Sequence, residues 1–597
     1  MDDQNKNLIL ASVLSFIVIV VWFVMFPPPE PPQQTTEDAA FVTQDSTATT
    51  TPVAVDAAGV TEQNIDAAET RRLTIKTDRI NGSISTTGGR IDDLKLMDYR
   101  ETVDPTSAEV TLLKPVGQPE AYYSTFGWAA LSGVDAADVP TPDTVWAVAG
   151  NDTLTVESPV TLVWSNGKGL TFERVISVDA DYMFSIEQKV SNTSGAEVSL
   201  RPYGLIRRHG IPSDVKNFFI LHEGLVRMSD GTLAEDDYGT IEGYEIDDRE
   251  GTNALRIDVA NQGWIGFTDH FWMTTLIPQD GVGFRSTGKY YPSSNIYQAE
   301  AVMAAQVIGD GMQVSTTTKL FAGAKEWETI RNYEKAGIAG FLDSIDWGWF
   351  FFITKPMFAV LHWLNSIIGN MGWAIIGLTI LIKALLFPLA YKSSVSMAKM
   401  KALQPEMEKI KERAGDDRSK LQQEMMALYK KEKVNPASGC LPILLQIPIF
   451  FSLYKVIFVT LELRHAPWIG WIQDLSAPDP SSILNLFGLL PYATPGPDSI
   501  FAIVSLGILP ILLGISMWLQ QKLNPAPTDP TQAMIFAWMP WVFMFMLGTF
   551  ASGLVIYWIA NNTITFAQQY LIMLSQGIKP DVFGNIKSGL KRKKSKG

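Results

Sequence analysis

The stretch MGWAIIGLTILIKALLFPLA, residues 371–390, decides what kind of molecule this is. At about 1.5 Å of rise per residue, its twenty residues match a hydrocarbon core of roughly 30 Å. Its one charge is Lys383. The run reads as a membrane-spanning helix with a cation inside it, and an ionised group at mid-bilayer costs about 2.5–3.5 kcal/mol unless it meets water or a partner.

Working outward, further apolar runs follow at 440–461, 500–521, 534–550 and 551–575, and one stands at 8–26. The last of these is long for a signal peptide and ends in Pro27-Pro28-Pro29-Glu30 rather than a small-residue cleavage site, so an uncleaved anchor over 1–26 is expected. Residues 27–70 are rich in Pro, Thr, Ala, Gln and acids with no apolar period, the composition of a disordered linker.

Residues 71–336 carry a β signal. Val160 to Trp164 and Leu170 to Phe172 flank Ser165-Asn166-Gly167, and an Asn-Gly pair predicts a tight type I′ hairpin. Tyr182, Phe184 and Ile186 alternate as one face of a half-buried strand, and Gly88-Gly89 marks a break. A β-sandwich is expected.

Charge placement orients the spans. The loop 391–439 holds eleven Lys and Arg, and Lys591-Arg592-Lys593-Lys594 make the tail 576–597 basic. The positive-inside rule keeps both in the cytoplasm. The residues just after the first span carry acids and no Lys or Arg, which places the β domain outside. Both basic segments stay inside only if 337–370 does not cross. That segment, with Trp347, Trp349 and Trp363, is therefore read as an interfacial amphipathic helix. The fold class is then a polytopic α-helical membrane protein with a large β-sandwich, an outer loop at 462–499 and a short inner loop at 522–533.

Within 391–439, Met397, Met400, Leu403, Met407 and Ile410 fall on one helical stripe. Ala414-Gly415-Asp416-Asp417 breaks it, and Leu421, Met425, Leu428 and Tyr429 resume the period. Two short helices folded on each other are expected, their methionines serving either as mutual packing or as an adaptable surface for apolar segments.

Polar residues accompany Lys383. Thr379 lies one turn before it, Gln446 sits in the third span, and Tyr557, Asn561 and Asn562 stand in the last. No intramembrane Asp or Glu supplies a counter-ion, which disfavours a proton relay and points to a hydrated groove. Prolines 388, 442, 448, 510 and 540 tend to kink their helices. The net charge of −14 argues against a nucleic-acid-binding protein. The lone Cys440 cannot form an internal disulfide, the five histidines lack metal-ligand spacing, and no nucleotide-binding loop occurs.

Ser396 to Met400, Leu403-Gln404-Pro405 and Gln423 to Lys430 resemble the cytoplasmic hairpin of the YidC/Oxa/Alb insertase family. Lys433 to Pro436, Gly439-Cys440 and Gln446 to Phe450 are similar to its third span, and Ser552 to Trp558 to the start of its last. The anchor, linker and β-sandwich resemble the Gram-negative branch, with the β domain periplasmic. The resemblance implies a chaperone and insertase in the bacterial inner membrane, not an enzyme, with a groove open to cytoplasm and lipid. Lys383, Thr379, Gln446 and Tyr557 match groove positions, Lys383 standing where a family arginine is expected, and Phe450 matches the apolar slide. Implied partners are nascent membrane proteins, the ribosome, the Sec translocase with its accessory subunits, the signal-recognition-particle receptor and membrane lipids; no cofactor or metal is implied. Competing readings are a transporter, which would show repeats and paired charges, a sugar mutarotase in the β domain, and a scaffold of the secretion machinery. An additional stretch at 481–499 fits none of these.

Overall fold

The computed structural model describes residues 71–215, 221–415, 417–432, 434, 441–492, 504–523 and 530–577. The expected anchor, linker, Cys440 and basic tail lie outside the described residues.

Period-two burial builds the first body. Leu170–Val178 buries every second side chain, and Met183–Asn192 does so from Phe184 onward. The two strands pair antiparallel, and among the described residues the strands assemble into one sheet of twelve and one of nine. Their inner faces share a core that includes Ile84, Phe172, Phe184 and Leu320, all fully buried. Two such faces packed together are the stable solution for sheets with one apolar side.

The hairpin at Asn166 forms, though not with the expected turn. The loop runs from Asn166 to Gly169, and the Asn166 side chain accepts from Lys168 N at 2.8 Å and Leu170 N at 3.1 Å. The left-handed positions fall on Gly167 and Gly169, so Asn166 works through its amide rather than through positive φ. Gly88 and Gly89, both at positive φ, make the break between Ile80–Ser85 and Arg90–Arg100 as read from sequence.

One glycine is fixed by packing alone. A Cβ on Gly323 would lie 2.2 Å from Tyr182 Cγ, and Tyr182 is fully buried. Gly323→Ala is expected to cost about 1–3 kcal/mol by overpacking. Thermal unfolding of the solubilised chain checks this; an unchanged melting temperature would count against the close approach.

Beside a single-turn helix at Tyr238–Glu242 within the β domain, the α-helices among the described residues are α1 (Trp327–Lys335), α2 (Phe351–Ile368), α3 (Met371–Leu385), α4 (Phe387–Ala402), α5 (Gln404–Ala414), α6 (Arg418–Lys431), α7 (Leu441–Val459), α8 (Ile508–Gln521), α9 (Pro530–Met546) and α10 (Ser552–Ser575). Glu326, just before α1, gathers the end of the β domain by accepting from Arg79, Tyr99 and Tyr182.

Three boundaries differ from the sequence reading. The expected span 371–390 is two helices, α3 and α4, bent by 69° at Leu386, because Pro388 has no N–H to donate and starts a new helix instead. α4 then runs to Ala402, well past the expected start of the hairpin loop. The methionine stripe is likewise divided at Leu403, before Gln404-Pro405. The break at 414–417 falls as expected, with the Asp417 side chain capping α6 through Lys420 N.

α2 is long and apolar enough to cross a membrane by composition. Its polar side chains tie it elsewhere. Lys355 pairs with Asp343, and His362 lies 3.3 Å from Glu328 of α1, at the end of the β domain. Trp327 of α1 packs on both Phe358 and His362, while the body of α2 packs on α3 and α7.

Candidate functional site

α3, α7 and α10 each bring polar side chains to one place. Lys383, in the last turn of α3, donates to Thr565 Oγ1 at 2.9 Å and reaches Gln446 Oε1 at 3.5 Å. Gln446 of α7 donates in turn to Tyr557 Oη at 3.1 Å and to Asn561 Oδ1 at 2.9 Å. Tyr557, Asn561 and Thr565 recur at steps of four and so line one stripe of α10.

Position explains how a cation is tolerated here. Because α3 ends at Leu385, its terminal carbonyls lie beside Lys383, and their partial negative charge favours a cation. Among the described residues no carboxylate pairs with it, and its hydrogen-bond partners are neutral side-chain oxygens. Lys383 is half-buried, whereas Tyr557 and Asn561 are buried. The ammonium thus stands at the accessible side of a buried amide and hydroxyl network.

Of the expected groove residues, Lys383, Gln446 and Tyr557 join this network. Thr379 does not: it is buried, and its hydroxyl bonds to Ile375 O of its own helix at 2.8 Å. Thr565 was missed, although the 557/561/565 spacing was available to find it. Asn562 turns to the other side and meets Ser516 of α8 at 3.1 Å.

Phe450 packs inward, its ring 4.9 Å from Trp558 and stacked on Tyr454. Among the described residues the large exposed apolar side chains of α7 are Ile447 and Phe451, and those of α9 include Trp538 and Val542. A continuous apolar outer surface therefore involves Phe450's neighbours more than Phe450 itself.

Met397, Met400, Met407 and Met425 are all half-buried. Ile410, Ala414 and Leu428 are buried in the hairpin, and Met426 is the large apolar side chain of α5 and α6 that stands exposed. The stripe read from sequence is shared between α4 and α5, and Met426, which that reading did not single out, is the methionine the packing leaves outside.

A second cation was overlooked. Lys455 near the outer end of α7 is buried and paired with Asp346, which also accepts from the backbone N–H groups of His222 at 2.8 Å and Gly348 at 3.1 Å. Nearby, His270 Nε2 lies 2.7 Å from Phe458 O, and its ring stacks on Phe458. Arg464 donates to Arg100 O at 2.6 Å. These contacts fix the β domain to the outer end of α7. They also give His222 and His270 packing roles, His222 through Leu225 O and His270 through Phe458 O.

Comparison with known proteins agrees with this architecture. Residues 72–360 match the family model described as the YidC periplasmic domain, and residues 363–578 match that of the 60Kd inner membrane protein. The membrane protein insertase YidC of Roseobacter denitrificans is 65% identical over 607 residues, covering 99% of each chain. Its namesake in Ruegeria sp. strain TM1040 is 66% identical over 516 residues, 86% of this chain and 85% of that one. That of Ruegeria pomeroyi is 60% identical over 605 residues, 99% of each. The chain therefore belongs to the YidC family of membrane protein insertases, inner-membrane proteins, and its β-sandwich is the family's periplasmic domain.

Proposed function

We propose that the chain integrates and folds nascent inner-membrane proteins through the groove lined by Lys383, Gln446, Tyr557, Asn561 and Thr565. The carrying observation is the arrangement of Lys383, held by neutral oxygens with no carboxylate partner among the described residues. Such a charge can receive an acidic or polar peptide flank without first breaking an ion pair, whose desolvated attraction would be costly to give up. The apolar part of the substrate then follows the outer surface of α7 and α9 into lipid, driven by burial of its own apolar area. The membrane potential assists acidic residues that cross.

Upstream of the groove, the α5–α6 hairpin offers Met426 and the half-buried methionines as an adaptable first contact for a segment leaving a ribosome. The basic loop and tail stay cytoplasmic, the outer ends of the spans meet the periplasmic domain, and α2 lies in the outer interface. The Sec translocase with its accessory subunits and the signal-recognition-particle receptor are the further partners of this reading. Insertion proceeds alone for short substrates and with the translocase for others.

The test is protease protection of a small single-span substrate synthesised beside liposomes that contain only the purified protein. Protection above empty liposomes supports autonomous insertion; none, with folded protein verified, would favour a translocase-dependent scaffold. In the same assay Gln446→Leu should reduce insertion about tenfold. It removes the more distant of the two acceptors of Lys383 and the donor to Tyr557 and Asn561, and a lost hydrogen bond to a charged group is worth about 1.5–3 kcal/mol. Full activity of Gln446→Leu would show that the network only packs the helices.

A further inference from the structure

The segment 483–492, within the stretch that the sequence left unexplained, is built inside out. Ile483, Leu486, Phe487, Leu489, Leu490 and Tyr492 are all exposed, Leu489 to 83%. No charged residue stands between Asp479 and Asp498. A loop in water has no reason to present six large apolar side chains, and contiguous exposed apolar surface marks a contact site.

The backbone points to what makes the contact. Leu484 N donates to Ser482 Oγ at 3.1 Å, Phe487 N to Ser482 O at 2.7 Å, and Gly488 N to Asn485 Oδ1 at 3.0 Å. Leu489 N donates to Leu486 O at 3.3 Å and Leu490 N to Asn485 O at 3.0 Å, while the Tyr492 hydroxyl bonds to Leu484 O. Backbone groups exposed to water need no such internal partners; those placed among acyl chains do. Leu486 and Phe487 hold left-handed conformations at φ 51° and 59°, unfavourable for side chains with a Cβ. This fold of the chain turns apolar side chains out while pairing the N–H groups of residues 483, 484 and 487–490.

Its position is set by neighbours. Ile483 N bonds to Leu506 O at 2.8 Å, Ser482 Oγ meets Ser505 Oγ at 2.7 Å, and Ile508 N and Leu509 N, opening α8, donate to Ser481 and Asp479. The knot is therefore moored at the start of a membrane helix. The loop between α7 and α8 touches the periplasmic domain through Arg464 and Arg100, which places it on the outer side.

We infer that residues 483–492 form a monotopic anchor seated in the acyl-chain boundary of the outer leaflet, continuous with the lipid-facing surface of α8. Leu512 and Ile515 of α8, both exposed, continue this apolar surface along the span. The occupant is lipid rather than protein because this uncharged segment runs into the start of a membrane helix, and its outward apolar side chains suit a fluid, non-directional partner.

The test uses the full chain in phosphatidylethanolamine–phosphatidylglycerol vesicles, with Cys440→Ser and Leu489→Cys carrying an environment-sensitive fluorophore. Val103→Cys, on an exposed periplasmic loop, is the control. The inference expects blue-shifted emission at position 489 relative to 103, and loss of most of that intensity when the lipid carries a shallow spin label. Water-like emission at both positions overturns it. So does a blue shift that spin-labelled lipid leaves untouched, which would mean that a second copy or another protein covers the patch. On the unsubstituted chain, a photoactivatable lipid should leave adducts on the 483–492 peptide; adducts on α9 with none there would also overturn it.

Discussion

Lys383→Leu is expected to lower insertion of a strictly dependent single-span substrate by about 10- to 100-fold, the effect of losing charge-assisted hydrogen bonds worth about 1.5–3 kcal/mol. The variant keeps the length of the apolar span and removes the one cation of α3, leaving Thr565 Oγ1 and Gln446 Oε1 without their donor. Lys383→Arg should retain most activity if charge and hydration are what matter. Arginine brings a planar fork that differs from an ammonium in geometry but not in sign. Protease protection in proteoliposomes measures both, beside a melting curve that shows each variant folded. Insertion by Lys383→Leu at the unsubstituted rate for every such substrate would remove this residue from the mechanism.

Lys455→Met should be the most destabilising of the single changes considered. Lys455 and Asp346 retain only 8% and 13% side-chain exposure, so removing the cation strands a buried carboxylate. Breaking one partner of a buried pair costs about 3–5 kcal/mol, whereas removing both charges is often nearly neutral. Adding Asp346→Asn should therefore restore part of the loss: the charge is gone, and the amide oxygen still accepts from one of the two N–H groups, His222 N or Gly348 N, that the Asp346 carboxylate serves with separate oxygens. Thermal unfolding and limited proteolysis of the solubilised chain read this directly. Equal melting temperatures for the single and double variants would show that the pair does not hold the domain to α7.

Local rules settle a large share of this molecule. A run of apolar residues long enough to span can only be a helix, because its backbone must be satisfied within itself, and strands with one buried face must alternate. Membrane helices and β-sandwich were accordingly legible, as was the Asp417 cap. The polar residues of the groove were also legible as types, since Lys383, Gln446, Tyr557 and Asn561 are conspicuous in apolar surroundings. Their mutual arrangement was not. Thr379 shares a helical face with Lys383, yet its hydroxyl returns to its own backbone, and Thr565 takes the place beside the ammonium. Lys455 drew no notice in the sequence, and only the tertiary fold buries it against Asp346, which His222 of the β domain in turn holds.

By itself the sequence determined that the chain crosses a membrane, which ends face inward, and that one span carries an unneutralised cation. These follow from transfer energies and periodicity, which act residue by residue. Only the tertiary structure decided that the span breaks at Leu386, so that Lys383 belongs to the last turn of α3 rather than to the middle of a longer helix. It also decided which side chains of α7 and α10 reach that cation. The reason is geometric: a helix carries its polar residues at fixed angles, but which angle faces a neighbour depends on bends and on packing between segments far apart in the chain.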